Sequence, residues 1–302
     1  MTRKLSMSEA INEAMKLAMR KDENVILLGE DVAGGAEIDH LQDDEAWGGV
    51  LGVTKGLVQE FGRERILDTP ISEAAYIGAA MGAAATGLRP VAELMFNDFI
   101  GCCLDQVLNQ GAKFRYMFGG KAEVPVTIRT THGAGFRAAA QHSQSLYALF
   151  TSIPGIKVVV PSNPYDAKGL LLAAIEDNDP VIFFEDKTLY NMKGEVPEGY
   201  YTIPLGKADV KREGTDLTIV AIGKQVNTAL AAADQLSHKG IDVEVVDPRS
   251  LSPFDEETIL SSVEKTNRLI VIDEANPRCS IATDIAALVA DKGFDMLDAP
   301  IK

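Results

Sequence analysis

The sequence predicts an α/β protein of two doubly wound domains, a larger one followed by a smaller one. Three observations carry that reading. Short β-rich runs alternate with helix-like segments along most of the 302 residues. The strand runs are continuously apolar, as parallel strands covered on both faces must be. A Gly- and Pro-rich stretch at 186–206 then divides two such series.

The elements follow in order. Ser6 and Glu9 have the spacing of a capping box, in which each side chain satisfies a free amide of the first turn. Ile11, Ala14, Met15 and Ala18 keep helical spacing behind it, which predicts a helix from about Met7 to Met19. Strands are predicted at Val25–Leu28, Ile66–Leu67, Val91–Leu94, Val126–Ile128, Val158–Val160 and Val181–Phe184. Ser72 opens an Ala-rich helix to Ala85. Asn163-Pro164 opens another over Ala167–Ile175, with Pro where the first turn has no amide to lose. The first domain thus covers 1–185, the linker 186–206 and the second domain 207–302. The second carries strands at Leu217–Ile222, Val243–Val246 and Leu269–Ile272, with helices at 225–237 and 255–263. No internal repeat is present.

Composition narrows the function. With 46% apolar and 24% charged residues the chain reads as an ordinary soluble globular protein, and no apolar run has the length of a membrane span. Met1–Ser6 is not followed by the apolar stretch of a secretory signal, so the cytoplasm is the expected compartment. A net charge of −15 repels a phosphate backbone, which argues against nucleic acid and favours a basic protein partner. Cys102, Cys103 and Cys279 have neither metal spacing nor disulfide density and are expected to be buried free thiols. A nucleotide-binding oxidoreductase would also have two α/β lobes, but neither a Gly-x-Gly-x-x-Gly turn nor a Gly-rich loop ending in Lys-Ser/Thr is present.

Two segments carry candidate chemistry. In Asp68-Thr-Pro-Ile-Ser-Glu73 an acid stands one residue into a helix, directly after a strand. On pattern alone Glu73 complements the helix dipole at a surface, an effect of about 0.3–1 kcal/mol. In Ala140-Gln-His-Ser-Gln144, His142 is one of four histidines, and a His in a small-residue loop is ordinarily solvated or structural. Its place after the strand ending near Arg129 nevertheless suits a site, because α/β sites gather at the carboxyl ends of parallel strands.

Together these segments resemble the pyrimidine-binding half of thiamine-diphosphate enzymes, namely the β chains of two-subunit 2-oxo-acid and acetoin dehydrogenases, over nearly the whole chain. The resemblance implies a transketolase-like pyrimidine-binding domain followed by a smaller transketolase C-terminal-like domain. It implies that Glu73 bonds to a ring nitrogen of the aminopyrimidine and drives its amino group toward the imino form that deprotonates the thiazolium carbon. A carboxyl group in a dry site, its pKa raised by desolvation, suits that task. By the same resemblance His142 handles protons or steadies charge during acyl transfer to a lipoyl group, Phe99 packs on the aminopyrimidine, and Glu30 joins an acidic path between paired sites. By residue type alone Phe99 is core and Glu30 a polar strand terminus.

The turn Ala173–Pro180 reads as a helix end with an Asx-rich turn. In several family members the equivalent turn holds potassium, which here implicates Val126, Ala174, Ile175, Asp177 and Asp179. Asp179 stands where Asn is frequent. The chain lacks the Gly-Asp-Gly and Asn pair with which thiamine enzymes hold magnesium and pyrophosphate. The resemblance therefore implies an α subunit that holds them, two α and two β chains with a β–β contact, and a dihydrolipoyl acyltransferase core as further partner.

The acidic stretch 33–53, holding the sole Trp, is longer than the connection in pyruvate-type β chains and points to the acetoin branch, with pyruvate and branched 2-oxo acids as alternatives. Acetoin would be cleaved to acetaldehyde and a two-carbon unit passed to lipoyl groups. A noncatalytic scaffold is the rival class. The second domain is expected to be incomplete, because Asp298–Lys302 ends where relatives begin another strand.

Overall fold

The computed structural model describes residues 2–34 and 47–302, so most of the 33–53 loop lies outside the described residues. In chain order the strands and helices are β1 Thr2–Ser6, α1 Met7–Lys21, β2 Val25–Gly29, α2 Leu57–Phe61, β3 Ile66–Asp68, α3 Glu73–Ala85, β4 Arg89–Phe96, α4 Ile100–Asp105, α5 Phe114–Met117, β5 Thr127–His132, α6 Tyr147–Thr151, β6 Lys157–Val159, α7 Pro164–Glu176, β7 Val181–Asp186 and β8 Lys193–Pro197. The second unit adds β9 Asp209–Arg212, β10 Leu217–Ala221, α8 Gln225–Ser237, β11 Val243–Asp247, β12 Ser250–Ser252, α9 Glu256–Thr266, β13 Leu269–Ile272 and α10 Ile281–Lys292.

The main sheet runs β12-β6-β7-β5-β4-β2-β3, parallel except for β12 at its edge. The smaller sheet runs β13-β10-β11-β9, with only β9 antiparallel. From β2 the chain steps to β3 on one side and then back to β4 on the other. The order therefore reverses between β2 and β4, and a crevice opens beyond their carboxyl ends.

Both faces are covered, as the apolar strands demand. Met7, Ile11, Met15 and Met19 of α1 pack with Leu170, Leu171 and Ile175 of α7 and with Leu27 and Phe183 beneath. The opposite face carries Tyr76, Ile77 and Ala80 of α3 and runs without a break through Ile182 and Phe184 into Val220, Val246 and Val263 of the second unit. Each large buried side chain contributes about 1.5–3 kcal/mol, so this shared core holds the second unit on the first.

The expected helices and strands are present, with limited differences. The Ser6–Glu9 capping box forms, and α1 runs two residues beyond Met19. Ser72 occupies the N-cap of α3, but its side chain makes no capping bond. The stretch 186–206 is not wholly linker, because β8 pairs antiparallel with β1. Gly194 and Pro197 hide its periodicity, yet an edge strand tolerates both. Likewise β12, from the second unit, completes the edge of the first sheet. Of the three thiols only Cys103 is buried, where burial pushes its pKa up to about 12. Cys102 and Cys279 are exposed, contrary to the expectation of buried thiols.

Candidate functional site

Glu30 directly follows β2 and so stands at the crevice. It is buried, its Oε1 has no hydrogen-bond partner, and burial raises its pKa, with the charges of Glu73, Asp31 and Glu93 adding to the rise. Glu73 is the first residue of α3 and is half-buried rather than enclosed in a dry interior. One turn on, Tyr76 is buried with an unpartnered hydroxyl, whose pKa burial raises first and Glu30 and Glu73 raise further. Glu30, Glu73 and Tyr76 thus face one another although two separate stretches of sequence, the end of β2 and the start of α3, supply them.

The strand ends beneath are tied together. Thr69 N donates to Gly29 O at 3.0 Å, and Ala33 N donates to Asp68 Oδ1 at 2.7 Å. Asp68 is therefore a backbone clamp in this chain, and Glu73 is the acid of that segment which the pKa of Glu30 registers.

On the β4 side the chain turns sharply at Asn97–Phe99. The Phe99 ring lies 5.6 Å from Phe96 and 5.3 Å from His142, and Phe96 lies 4.6 Å from His142, all edge to face. His142 is half-buried at the end of a short 3-10 turn, Ala140–His142. Asn97, fully buried, holds that segment by donating to Thr131 O at 3.0 Å and Gln144 O at 2.9 Å while accepting from Leu146 N at 2.9 Å. Asp98 Oδ1 accepts from Gln144 Nε2 at 2.9 Å. Sequence reasoning passed over Asn97 and Asp98. Their signal was a short polar pair directly after a buried strand.

Below the crevice floor lies a buried ion network that sequence reasoning also missed. Arg129 donates through Nε and Nη2 to Glu185 at 2.8 and 2.9 Å, and through Nη1 to Glu93 at 2.7 Å. Tyr190 Oη donates to Glu185 at 2.6 Å. Burial would lower the guanidinium pKa, but Glu185 and Glu93 outweigh it and the net shift is upward. Burial raises the Glu93 carboxyl despite Arg129. Glu93 also contributes to the elevation at Glu30, so the floor and the crevice acids form one electrostatic unit.

Of the five positions implicated in potassium binding, Ala174, Ile175, Asp177 and Asp179 lie at one turn, and the chain brings its own cations to it. Arg89 Nη1 donates to the carbonyls of Ile175 at 3.1 Å, Glu176 at 3.2 Å and Asp177 at 3.1 Å. Lys157 Nζ lies 2.6 Å from both carboxylate oxygens of Asp177, and Arg115 pairs with Asp179. The carbonyls of Val126 and Ala174 accept from the amides of Val181 and Asp177. No helix among the described residues is long and apolar enough to cross a membrane.

Residues 3–193 match the family model for the transketolase pyrimidine binding domain, and residues 206–302 match that for the transketolase C-terminal domain. The chain is 84% identical over 302 residues to the acetoin:2,6-dichlorophenolindophenol oxidoreductase subunit beta of Bacillus subtilis, covering all of this chain and 88% of the relative. It is 47% identical over 298 residues to the pyruvate dehydrogenase E1 component subunit beta of the same organism, covering 98% and 88%. Among solved structures, a split gene transketolase described as an inactive beta4 tetramer superposes with a TM-score of 0.77 at 23% identity, covering 98% of this chain and 88% of that one.

Proposed function

Since the chain belongs to the transketolase-type pyrimidine-binding family, on the branch of the acetoin dehydrogenase β subunits, we propose that it forms the pyrimidine-side half of an acetoin-cleaving active site completed by an α subunit. The observation that supports this reading is a pair of clusters at the carboxyl ends of the neighbouring strands β2 and β4, Glu30 with Glu73 and Tyr76 at the first and Phe96 with Phe99 and His142 at the second.

This lining fits a flat, weakly basic heteroaromatic ring. Aromatic faces and edges pack on it, and a half-buried carboxyl faces it beside an orphaned buried oxygen at Glu30. Thiamine diphosphate, when bound, supplies a carbon nucleophile for the carbonyl of acetoin.

The remaining work falls to the side chains. Glu73, beside the buried Glu30 carboxyl, holds a proton against the pyrimidine nitrogen. Phe99 fixes the ring plane. His142, held by the Asn97 and Asp98 contacts to its segment, faces the substrate end and exchanges protons as acetaldehyde leaves and the two-carbon unit passes to a lipoyl arm.

The fragments that would grip a diphosphate and magnesium are not found in this sequence, which is why the reading requires an α subunit. Two α and two β chains would then meet through β–β and α–β contacts, with an acyltransferase core as acceptor. Apolar side chains at Ile71, Tyr116, Met117 and Phe118, between 54% and 89% exposed, are what such interfaces would cover.

The test is reconstitution with the α partner, thiamine diphosphate and magnesium, followed by dye reduction with acetoin, pyruvate and branched 2-oxo acids. Acetoin is expected to be preferred. Glu73→Ala should abolish turnover while α–β assembly persists. Full activity in that variant would refute the assignment.

A further inference from the structure

A second cluster of chemistry-bearing side chains lies outside the crevice, where the two units meet. His132 ends β5, Asp186 ends β7, and Glu274 follows β13. One ligand atom from each lies within 4.8 Å of the others. His132 and Asp186 are 2% and 1% exposed, and His132 Nε2 and Asp186 Oδ2 have no hydrogen-bond partner. With Lys187 Nζ, also buried and without a partner, orphaned polar atoms gather here, and they are costly unless something binds them.

The surroundings aim these groups. Asp186 Oδ1 is already used, accepting from Thr188 N at 2.7 Å and Thr188 Oγ1 at 2.6 Å, which leaves Oδ2 free. A Cβ at Gly133 would lie 2.9 Å from both Asp186 Oδ2 and Glu274 Oε1, so both oxygens point at the same small space, kept open by a glycine with φ of +96°. The imidazole is fixed edge-on by Tyr147 and Phe184, and its Nδ1 lies 3.2 Å from Ser145 Oγ, the kind of support that orients a ligating histidine. Ser145 Oγ in turn donates to Glu274 Oε1 at 2.8 Å.

We propose that His132, Asp186 and Glu274 bind a divalent transition-metal ion, zinc by the chemistry of the donors, at the junction of the two units. One imidazole and two carboxylates are a borderline-hard set that zinc accepts, with water completing a four-coordinate shell. Metal–ligand distances of about 2.0–2.2 Å require the donors to draw together by roughly 1 Å, within the reach of side-chain rotation. Lys187 and Lys224 also face the cluster, with Asp98 and Asp273 nearby, but among the described residues neither lysine donates a hydrogen bond to its three members.

The ion would have a positioning role. Gly133 N donates to Gln144 O at 3.1 Å, closing residues 134–143 into a loop that carries His142. Joining His132, at the neck of that loop, to Asp186 and Glu274 fastens it to β7 and to the second unit. This goes beyond the acetoin assignment and stands or falls separately from it.

The test uses the full-length, untagged chain, stripped with a chelator and titrated calorimetrically with zinc chloride in magnesium-free buffer. One zinc per chain is expected, retained through dialysis and raising the melting temperature. Asp186→Asn and Glu274→Gln keep shape and most hydrogen bonding, and each should weaken zinc binding at least about 100-fold while melting no lower than the parent in chelator. Absence of stoichiometric zinc in the parent, or equal binding in the variants, overturns the proposal. So does a parent indifferent to zinc whose variants melt lower in chelator, because the lysines then balance the carboxylates unaided.

Discussion

The imidazole of His142 stands edge-on to the ring of Phe99, with centroids 5.3 Å apart and planes at 83°, although the two residues come from different strand-end loops. Asn97 and Asp98 create this pairing, since both bind Gln144 just beyond the histidine. His142→Asn keeps the size and polarity of the side chain but loses its proton chemistry. Turnover in the reconstituted complex is expected to fall by about 10²–10⁴ with little change in melting temperature, measured by dye reduction and calorimetry.

Asn97→Ala should move the histidine without touching it. Four hydrogen bonds of a fully buried side chain are lost, leaving the carbonyls of Thr131 and Gln144, the carboxylate of Asp98 and the amide of Leu146 without it. A stability loss of about 1–3 kcal/mol is expected in urea unfolding, together with reduced turnover even where the variant is folded.

Arg129→Met leaves Glu93 and Glu185 buried without their shared cation. A destabilisation of about 3–5 kcal/mol is expected by chemical denaturation. Arg129→Lys should recover only part of it, because a lysine cannot make the two parallel bonds to Glu185.

Asp247 supplies a pH dependence unrelated to the site. It is fully buried, bonded by Ser162 Oγ at 2.5 Å and Arg249 N at 2.9 Å, and burial raises its pKa to about 7, with Lys211 opposing and Asp166 adding to the rise. The folded chain keeps this proton where the unfolded chain, titrating near 3.8, has released it. Its contribution to stability is therefore complete below about pH 4 and is lost as the pH rises through about 7. Asp247→Asn should flatten that decline, by up to roughly 4 kcal/mol at pH 8, in unfolding curves taken across the range.

At the Asp177 turn, Arg89 holds three carbonyls that would otherwise await a cation. Exchanging potassium for sodium is expected to leave the melting temperature of the parent chain unchanged. Arg89→Met should lose about 1–3 kcal/mol and become responsive to potassium. A parent chain already stabilised by potassium would show that the guanidinium does not fill the turn.

The sequence by itself determined the alternation of strands and helices, the capping of α1 and α7, the acid opening α3 and the division into two α/β units, because each is written in local periodicity and capping chemistry within a dozen residues. It also presented Glu73 and His142 through motifs, though not what surrounds them. Tertiary structure alone decided that β8 returns to pair with β1 and that β12 crosses to the first sheet, since edge pairing is specified by backbone groups that every residue shares. It likewise decided that Glu93, Arg129 and Glu185 share a charge network, that Asn97 holds the His142 segment, and that His132, Asp186 and Glu274 meet. These groups are separated by tens of residues in the chain. Only the parallel register, which stacks the strand ends side by side, brings their charges within the few ångströms over which they act.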